Sequence, residues 1–125
     1  MKRIFISFAV PEDNYARDFL VGQARNNSSP FEFVDMSIKE PWSDAWKIRC
    51  RSKIKDCDGF IALISRHTID ANGARWEMKC AAEEGVPTIG LYISNDYKGT
   101  VPPELSGKSV INWTWDGIFS FINSL

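Results

Sequence analysis

One uninterrupted apolar stretch limits what this chain can fold into. It runs from Gly59 to Ser65 (GFIALIS) and follows Asp58 directly. Because successive side chains of a strand point to opposite faces, a strand that is apolar at every position has no solvent side. The stretch therefore predicts the central strand of a parallel sheet that is covered by helices on both faces.

Four further strands and four helices are predicted around this central strand. The strands are residues 3–9, 31–34, 88–93 and 110–113, and the helices are residues 11–25, 43–55, 74–84 and 116–125. Strands that alternate with helices indicate an α/β protein, and five such units fit a flavodoxin-like three-layer sandwich whose parallel sheet has the order 2-1-3-4-5. A chain of 125 residues is expected to form a single domain, residues 1–125.

The apolar spacing also predicts which helix positions are buried and how two of the helices begin or end. Pro11 is placed in the first turn of the first helix, and Gly85 is predicted to end the third helix in a left-handed conformation. The predicted buried positions are Tyr15, Ala16, Phe19, Leu20 and Gly22 in the first helix, Trp46, Ile48 and Ile54 in the second, and Ile118, Phe119, Ile122 and Leu125 in the last.

Composition excludes several classes of partner and site. The net charge is −1, which gives no reason to expect a nucleic-acid or membrane-surface partner, and no apolar run approaches the roughly 18–20 residues of a membrane span. Three cysteines without a secretion signal favour reduced thiols in the cytoplasm. His67 is the only histidine in the sequence, so neither a histidine metal cage nor a Ser-His-Asp triad with a spare histidine is expected.

Chemistry-bearing residues are predicted to meet at the carboxyl edge of the sheet, where ligands bind in open parallel sheets. Ser7 and Phe8 come at the end of strand one, Asp35 at the end of strand two, and Trp76 and Glu77 early in the helix after strand three. Each residue taken alone fits a structural role equally well or better: Asp35 as a turn cap, Phe8 and Trp76 as packing residues, Glu77 as a solvated helix residue. Their convergence on one edge favours a site.

Two common classes of site are absent from the sequence. It contains neither GxGxxG nor GxxxxGK, so no glycine-lined phosphate loop of the usual kind is expected. A phosphoreceiver domain needs an Asp at the end of strand three and a Lys at the end of strand five, and this chain has Ser65 and Trp113 there.

Four motifs in order give the chain its resemblance to a known family. They are KRIFISF (residues 2–8), FVD (33–35), DGFIALIS (58–65) and RWEM (75–78). With them the chain resembles TIR-like domains over nearly its whole length, and most of all the compact bacterial and archaeal branch found in Thoeris anti-phage systems. In many TIR domains a Trp stands several residues before the glutamate, at the position of Gly73 here.

The resemblance implies an enzyme that cleaves the nicotinamide–ribose bond of NAD, with NAD as substrate and no other cofactor or metal. Glu77 matches the catalytic glutamate of the family, and Asp35 matches the Asp that ends strand two. The predicted substrate-binding residues are Ser7, Phe8, Asp35, Ser37 and Trp76. Hydrolysis to ADP-ribose and cyclisation to a cyclic product both remain open.

Two functions are compatible with this resemblance. One is an NAD-consuming enzyme of antiviral defence, which makes a diffusible nucleotide for a separate effector protein and becomes active on self-assembly. The other is a non-catalytic TIR-type interaction module. The loop from Met36 to Trp42, with Lys39 and Pro41, is expected to overhang the site, where it is either the control element or merely a connection that Pro41 caps.

Overall fold

A computed structural model of the chain describes residues 1–27, 31–36 and 38–125. The strands are β1 (Lys2–Ser7), β2 (Phe31–Val34), β3 (Gly59–Ile64), β4 (Thr88–Tyr92) and β5 (Ser109–Asn112), and the helices are α1 (Asn14–Asn26), α2 (Asp44–Lys55), α3 (Asn72–Glu83) and α4 (Trp115–Asn123). Two short 3₁₀ turns, Thr68–Asp70 and Pro103–Leu105, precede α3 and β5.

The five strands form one parallel sheet of order β2-β1-β3-β4-β5, which confirms the predicted topology. Every residue of β3 is buried, as the uninterrupted apolar stretch predicts. The buried central strand thus requires helices on both faces of the sheet, and the parallel sheet places any ligand site at its carboxyl edge.

Two hydrophobic clusters, one on each face of the sheet, complete the three layers. Phe5, Phe60, Ala62 and Ile64 pack under α2 and α3. Ile4, Ile6, Ile61, Leu63 and Leu91 pack under α1 and α4. The alternation along β1 and β3 is the two-residue period of a strand, so each face has its own set of apolar side chains.

The first helix begins later than predicted. It starts at Asn14, and Pro11 lies in the turn before it, where the Val10–Pro11 peptide is cis. Asp13 accounts for the delay: its backbone N–H donates to the carbonyl of Ala9 at 2.8 Å, and its buried carboxylate accepts from Ser65 Oγ at 2.6 Å. These contacts hold the segment as a turn against β3 before the helix can begin.

The predicted buried faces of three helices were wrong at some positions and are confirmed at Ala16, Leu20, Trp46, Ile54, Ile118 and Ile122. Tyr15 and Phe19 are 63% and 61% exposed, whereas Ala16 and Leu20 are buried and continue the stripe to Ala24. The apolar residues of α1 fit two overlapping stripes of three- and four-residue steps. The stripe with the larger side chains, Tyr15 and Phe19, is the one that faces solvent.

The same kind of error occurs in α2 and α4. Ile48 is 72% exposed, because residues spaced four apart (Trp46, Cys50 and Ile54) form the buried stripe and Ile48 lies two residues away from it. Phe119 of α4 is 40% exposed beside the buried Ile118.

The ends of α2 and α3 agree with their sequence signals. Ser43 caps α2, and its side chain accepts from the N–H of Trp46. Gly85 has φ of +68° just after α3, which confirms the predicted left-handed cap. No helix in the described part of the chain is long and apolar enough to cross a membrane.

Candidate active site

Three consecutive residues of α3 point in three directions because each residue advances a helix by about 100°. The Arg75 guanidinium contacts both carboxylate oxygens of Glu104, at 2.9 and 3.1 Å, and so ties α3 to the second 3₁₀ turn. Trp76 turns toward α2, and Glu77 turns toward the end of β1. Of the three side chains, only Glu77 faces the carboxyl edge of strands β1 and β3.

Glu77 is a fully buried carboxylate surrounded by donors. Ser7 Oγ lies 2.8 Å from its Oε1, and Cys50 Sγ lies 3.7 Å from its Oε2. The Lys39 ammonium lies 2.7 Å from Oε1 and 2.8 Å from Oε2. Strand β1, helix α2 and the loop after β2 thus each contribute one donor to the same carboxylate.

Burial and these donors act on Glu77 in opposite directions. Loss of solvent raises the pKa of the Glu77 carboxyl above its ordinary value, while the Lys39 ammonium and then the Ser7 hydroxyl hold it down. Burial also raises the pKa of the Cys50 thiol far above its ordinary value, and the nearby Glu77 charge raises it further. An anionic Glu77 therefore depends on these contacts: the ion pair with Lys39 balances its charge, and the Ser7 and Cys50 contacts supply two further hydrogen bonds.

Lys39 reaches Glu77 from a loop whose backbone is held on both sides of it. Trp46 Nε1, on α2, donates to the carbonyl of Ile38 at 2.9 Å, and the N–H of Ser43 donates to the carbonyl of Glu40 at 2.8 Å. The Lys39 side chain is only 7% exposed. The loop is thus anchored at the level of its backbone, with its lysine directed inward.

A cleft of about 480 Å³ opens beside this ion pair. Its lining includes Val10 after β1, Lys39 and Trp42 of the loop, and Gly73 and Ala74 at the start of α3. Lys39 lines the cleft whereas Glu77 does not, so the lysine lies between the open space and the buried carboxylate. A larger concavity of about 530 Å³ lies between the outer sides of α2 and α3, where its lining includes Trp76.

The structure brings together some of the predicted site residues. Ser7 and Glu77 are hydrogen-bonded, and Phe8 is adjacent, since Lys39 Nζ lies 4.9 Å from the centre of its ring. Asp35 is linked to them indirectly: it lies 3.4 Å from Arg17 Nη1, and the Arg17 guanidinium lies 5.8 Å from the Phe8 ring centre.

One of the predicted substrate-binding residues that the structure describes, Trp76, is not part of this cluster. Trp76 packs on Trp46 with ring centres 5.3 Å apart and lies under the Arg51 guanidinium at 5.5 Å, on the α2 side of α3. Its position next to Glu77 in sequence turns it away from the carboxylate. Ser37 lies outside the described residues.

Two residues of the Glu77 cluster were not predicted as site residues. Lys39 was noted only as part of the loop, and Cys50 only as a reduced core thiol. The loop's position after a strand that ends at the ligand edge was a usable signal for Lys39. No sequence signal marks Cys50, because its spacing with Trp46 and Ile54 is that of an ordinary buried stripe. Across the described residues, no group of three His, Cys, Asp or Glu side chains lies close enough to hold a metal ion.

Comparison with known proteins identifies the fold and the family of the chain. The fold is similar to the solved structure titled "Crystal Structure of a prokaryotic SEFIR domain", with a TM-score of 0.59 and 12% identity over 99% of this chain and 95% of that one. At that identity the likeness concerns the fold alone. No curated protein matches the sequence. A family model described as "Thoeris protein ThsB, TIR-like domain" matches residues 5–98, well over half of the chain. The chain therefore belongs to the TIR-like domain family of the Thoeris protein ThsB, a component of anti-phage defence.

Proposed function

We propose that this domain consumes NAD by cleaving the bond between nicotinamide and ribose, with Glu77 as the catalytic carboxylate. The observation that carries the proposal is the Glu77 carboxylate itself: it is buried at the carboxyl edge of β1 and β3, oriented by the Ser7 hydroxyl and adjacent to a cleft. A buried carboxylate is costly to desolvate even when it is paired, so its presence at the ligand edge favours a functional role.

One carboxylate is sufficient for this reaction. An ordinary glycosidase needs a second carboxyl group to protonate the leaving oxygen. The nicotinamide of NAD is already cationic and departs as a neutral molecule, so no general acid is required. Positive charge then develops on the ribose, and an anionic Glu77 held by Ser7 and Cys50 would stabilise it. Attack by water gives ADP-ribose, and attack by an atom of the same ADP-ribose gives a cyclic product.

The product would act as a diffusible signal to a separate effector protein, with the domain activated by self-assembly. Two apolar side chains of the loop over the site, Ile38 and Trp42, are 71% and 77% exposed. Contact with a neighbouring copy through these side chains would bury apolar surface and rearrange side chains of the loop that carries Lys39.

A non-catalytic interaction module is the second candidate. The ion pair with Lys39 favours it, since a fully enclosed Glu77 resembles a structural salt bridge. This candidate predicts that NAD is never consumed under any condition of assembly.

Incubation of the purified protein with NAD separates the two candidates. We expect free nicotinamide to appear at a rate that rises more steeply than protein concentration and that increases with a molecular crowder, and we expect Trp42→Ala to weaken that dependence. Mass spectrometry of the second product distinguishes ADP-ribose from a cyclic form. Complete absence of nicotinamide at the highest concentration and with crowder would favour the interaction module.

A further inference from the structure

The Lys39 ammonium occupies a small subsite with the properties of a cation receptor. Both oxygens of Glu77 lie within 2.8 Å of Nζ, and the face of the Phe8 ring lies 4.9 Å from it. A carboxylate and an aromatic face are the two groups that proteins use to hold an organic cation. The subsite is thus built for a positive charge, and the protein's own lysine fills it.

A missing side chain makes room for that lysine. A Cβ added at Gly73 would lie 2.7 Å from Lys39 Cβ and 2.9 Å from its Cδ. Gly73 is buried in the first turn of α3, where its φ is not in the left-handed region, so the backbone there does not require glycine. The apolar stem of Lys39 lies in the groove that Gly73 leaves open.

Lys39 can leave this subsite without unfolding the loop. The flanking carbonyls of Ile38 and Glu40 are held by Trp46 and Ser43, so the backbone can stay in place while the side chain rotates. The cleft that Lys39 lines leads outward, and an ammonium on a flexible four-carbon stem is strongly hydrated once it reaches solvent. Rotation would open a path from the cleft to Glu77.

We propose that Lys39 is an internal occupant of the subsite that receives the pyridinium end of the substrate, and that substrate and lysine compete for Glu77. The proposal rests on the proposed function for the identity of the substrate, but its core statement is a competition between two cations for one carboxylate. A substrate of this class carries its positive charge on a planar aromatic ring, which the Phe8 face and the Glu77 carboxylate would both accept once Lys39 has left.

The competition can be measured without any turnover. The probe is the 1-methylnicotinamide cation, with neutral nicotinamide as its uncharged match, and binding is followed by NMR titration of the full chain. In Lys39→Met, which keeps a chain of similar length without the charge, we expect affinity for the cation to rise about tenfold or more, because the occluded state no longer competes. Affinity for neutral nicotinamide should change far less, and adding Glu77→Gln should cancel the gain. A folded Lys39→Met protein with unchanged affinity for the cation would overturn the proposal.

A glycine variant repeats the test while leaving both charges in the protein. Gly73→Ala fills the groove under the lysine stem. Because Lys39 Cβ is fixed by the backbone, this variant must shift the loop together with its ammonium, and we expect it to strengthen cation binding in the same direction. Gly22→Ala is the matched control, because Gly22 lies in α1 and a Cβ there would meet nothing within 4 Å. Equal cation affinity in Gly73→Ala, Gly22→Ala and the parent protein would contradict the role of the groove.

A third measurement uses the unmodified protein and needs no variant. Labelling by an amine-reactive reagent, followed by mass spectrometry, should modify Lys39 slowly and the exposed Lys79 quickly. If the cation displaces Lys39, adding 1-methylnicotinamide should accelerate labelling of Lys39 and leave Lys79 unchanged. Unchanged Lys39 labelling at saturating cation would count against displacement. Displacement of Lys39 by the cation without any NAD cleavage would uphold this inference and remove the proposed function.

Discussion

The Lys39–Glu77 ion pair allows the coupling energy between substitutions at these two residues to be predicted for a double-mutant cycle. Lys39→Met removes the cation and leaves a buried carboxylate with only the Ser7 and Cys50 donors. Glu77→Gln removes the anion and places an amide N–H₂ donor among groups that already donate. The double variant removes both charges and so leaves neither one without a partner.

The magnitude follows from the burial of both partners. Glu77 is fully buried and the Lys39 side chain is 7% exposed, so the pair counts as buried. Breaking such a pair by removing one partner typically costs about 3–5 kcal/mol. We expect Glu77→Gln to lie near the lower end of that range because Lys39 can turn outward to water, whereas Lys39→Met leaves the buried carboxylate without such an escape. The double variant should cost much less than the sum of the two single variants, with a coupling energy of about 2–3 kcal/mol.

Urea unfolding of the parent, the two single variants and the double variant measures this coupling. The slope of the unfolding free energy against urea should be the same in all four proteins if each remains a compact two-state domain. A coupling energy below about 0.5 kcal/mol, which is the level expected of independent sites, would show that the pair does not form in solution. Lys39 would then not occupy the cation subsite beside Glu77.

Three further predictions concern the core and the buried titratable groups. Leu63→Ala and Phe8→Ala should each lower the free energy of unfolding by about 2–5 kcal/mol, since both side chains are fully buried. If urea unfolding shows that Phe8→Ala lowers it by less than about 0.5 kcal/mol, as is usual for an exposed residue, Phe8 is not part of the core. Burial raises the pKa of the Cys57 and Cys80 thiols to about 11, so a thiol-reactive reagent at neutral pH should label them only at the rate of unfolding, and fast labelling of the native protein would contradict their burial. Burial raises the pKa of the Asp13 carboxyl above its ordinary value of 3.8, so the folded protein holds that proton more tightly than the unfolded chain does. The free energy of unfolding should therefore fall as the pH rises above 3.8 through the pKa of the folded state. Asp13→Asn should flatten that part of the curve of stability against pH, and an unchanged curve would argue against the shift.

The topology could be read from the sequence because it depends on a strong signal. Residues 59–64 are apolar at every position, which favours a strand covered on both faces, and five strands alternating with helices fit the observed sheet order. The faces of α1 and α2 were less predictable. Apolar side chains such as Phe19 and Ile48 lie on the solvent side, and the periodicity cannot tell which of two overlapping stripes faces the core.

The site was predictable only as far as backbone topology determines it. Ser7 and Glu77 meet because the end of β1 and the start of α3 lie at the same edge of the sheet. The contact of Lys39 depends on the path of an irregular loop and on the absence of a Cβ at Gly73, and no periodicity encodes either. Trp76 is next to Glu77 in sequence but does not meet it in the structure. Adjacent residues of a helix lie about 100° apart around its axis, so the Trp76 side chain points away from the carboxylate.

Nicotinamide release from NAD by four proteins measures whether Glu77 is the catalytic carboxylate. They are the parent chain, Lys39→Met, Glu77→Gln and Glu83→Gln, of which the last removes an exposed carboxylate from the end of the same helix. We expect release by the parent at high protein concentration, release by Glu83→Gln at the parent rate, and a loss of roughly 100- to 1000-fold in Glu77→Gln. A folded Glu77→Gln protein that releases nicotinamide at the parent rate, or no release by both the parent and Lys39→Met, would contradict the assignment of Glu77 as the catalytic carboxylate of an NAD-cleaving enzyme.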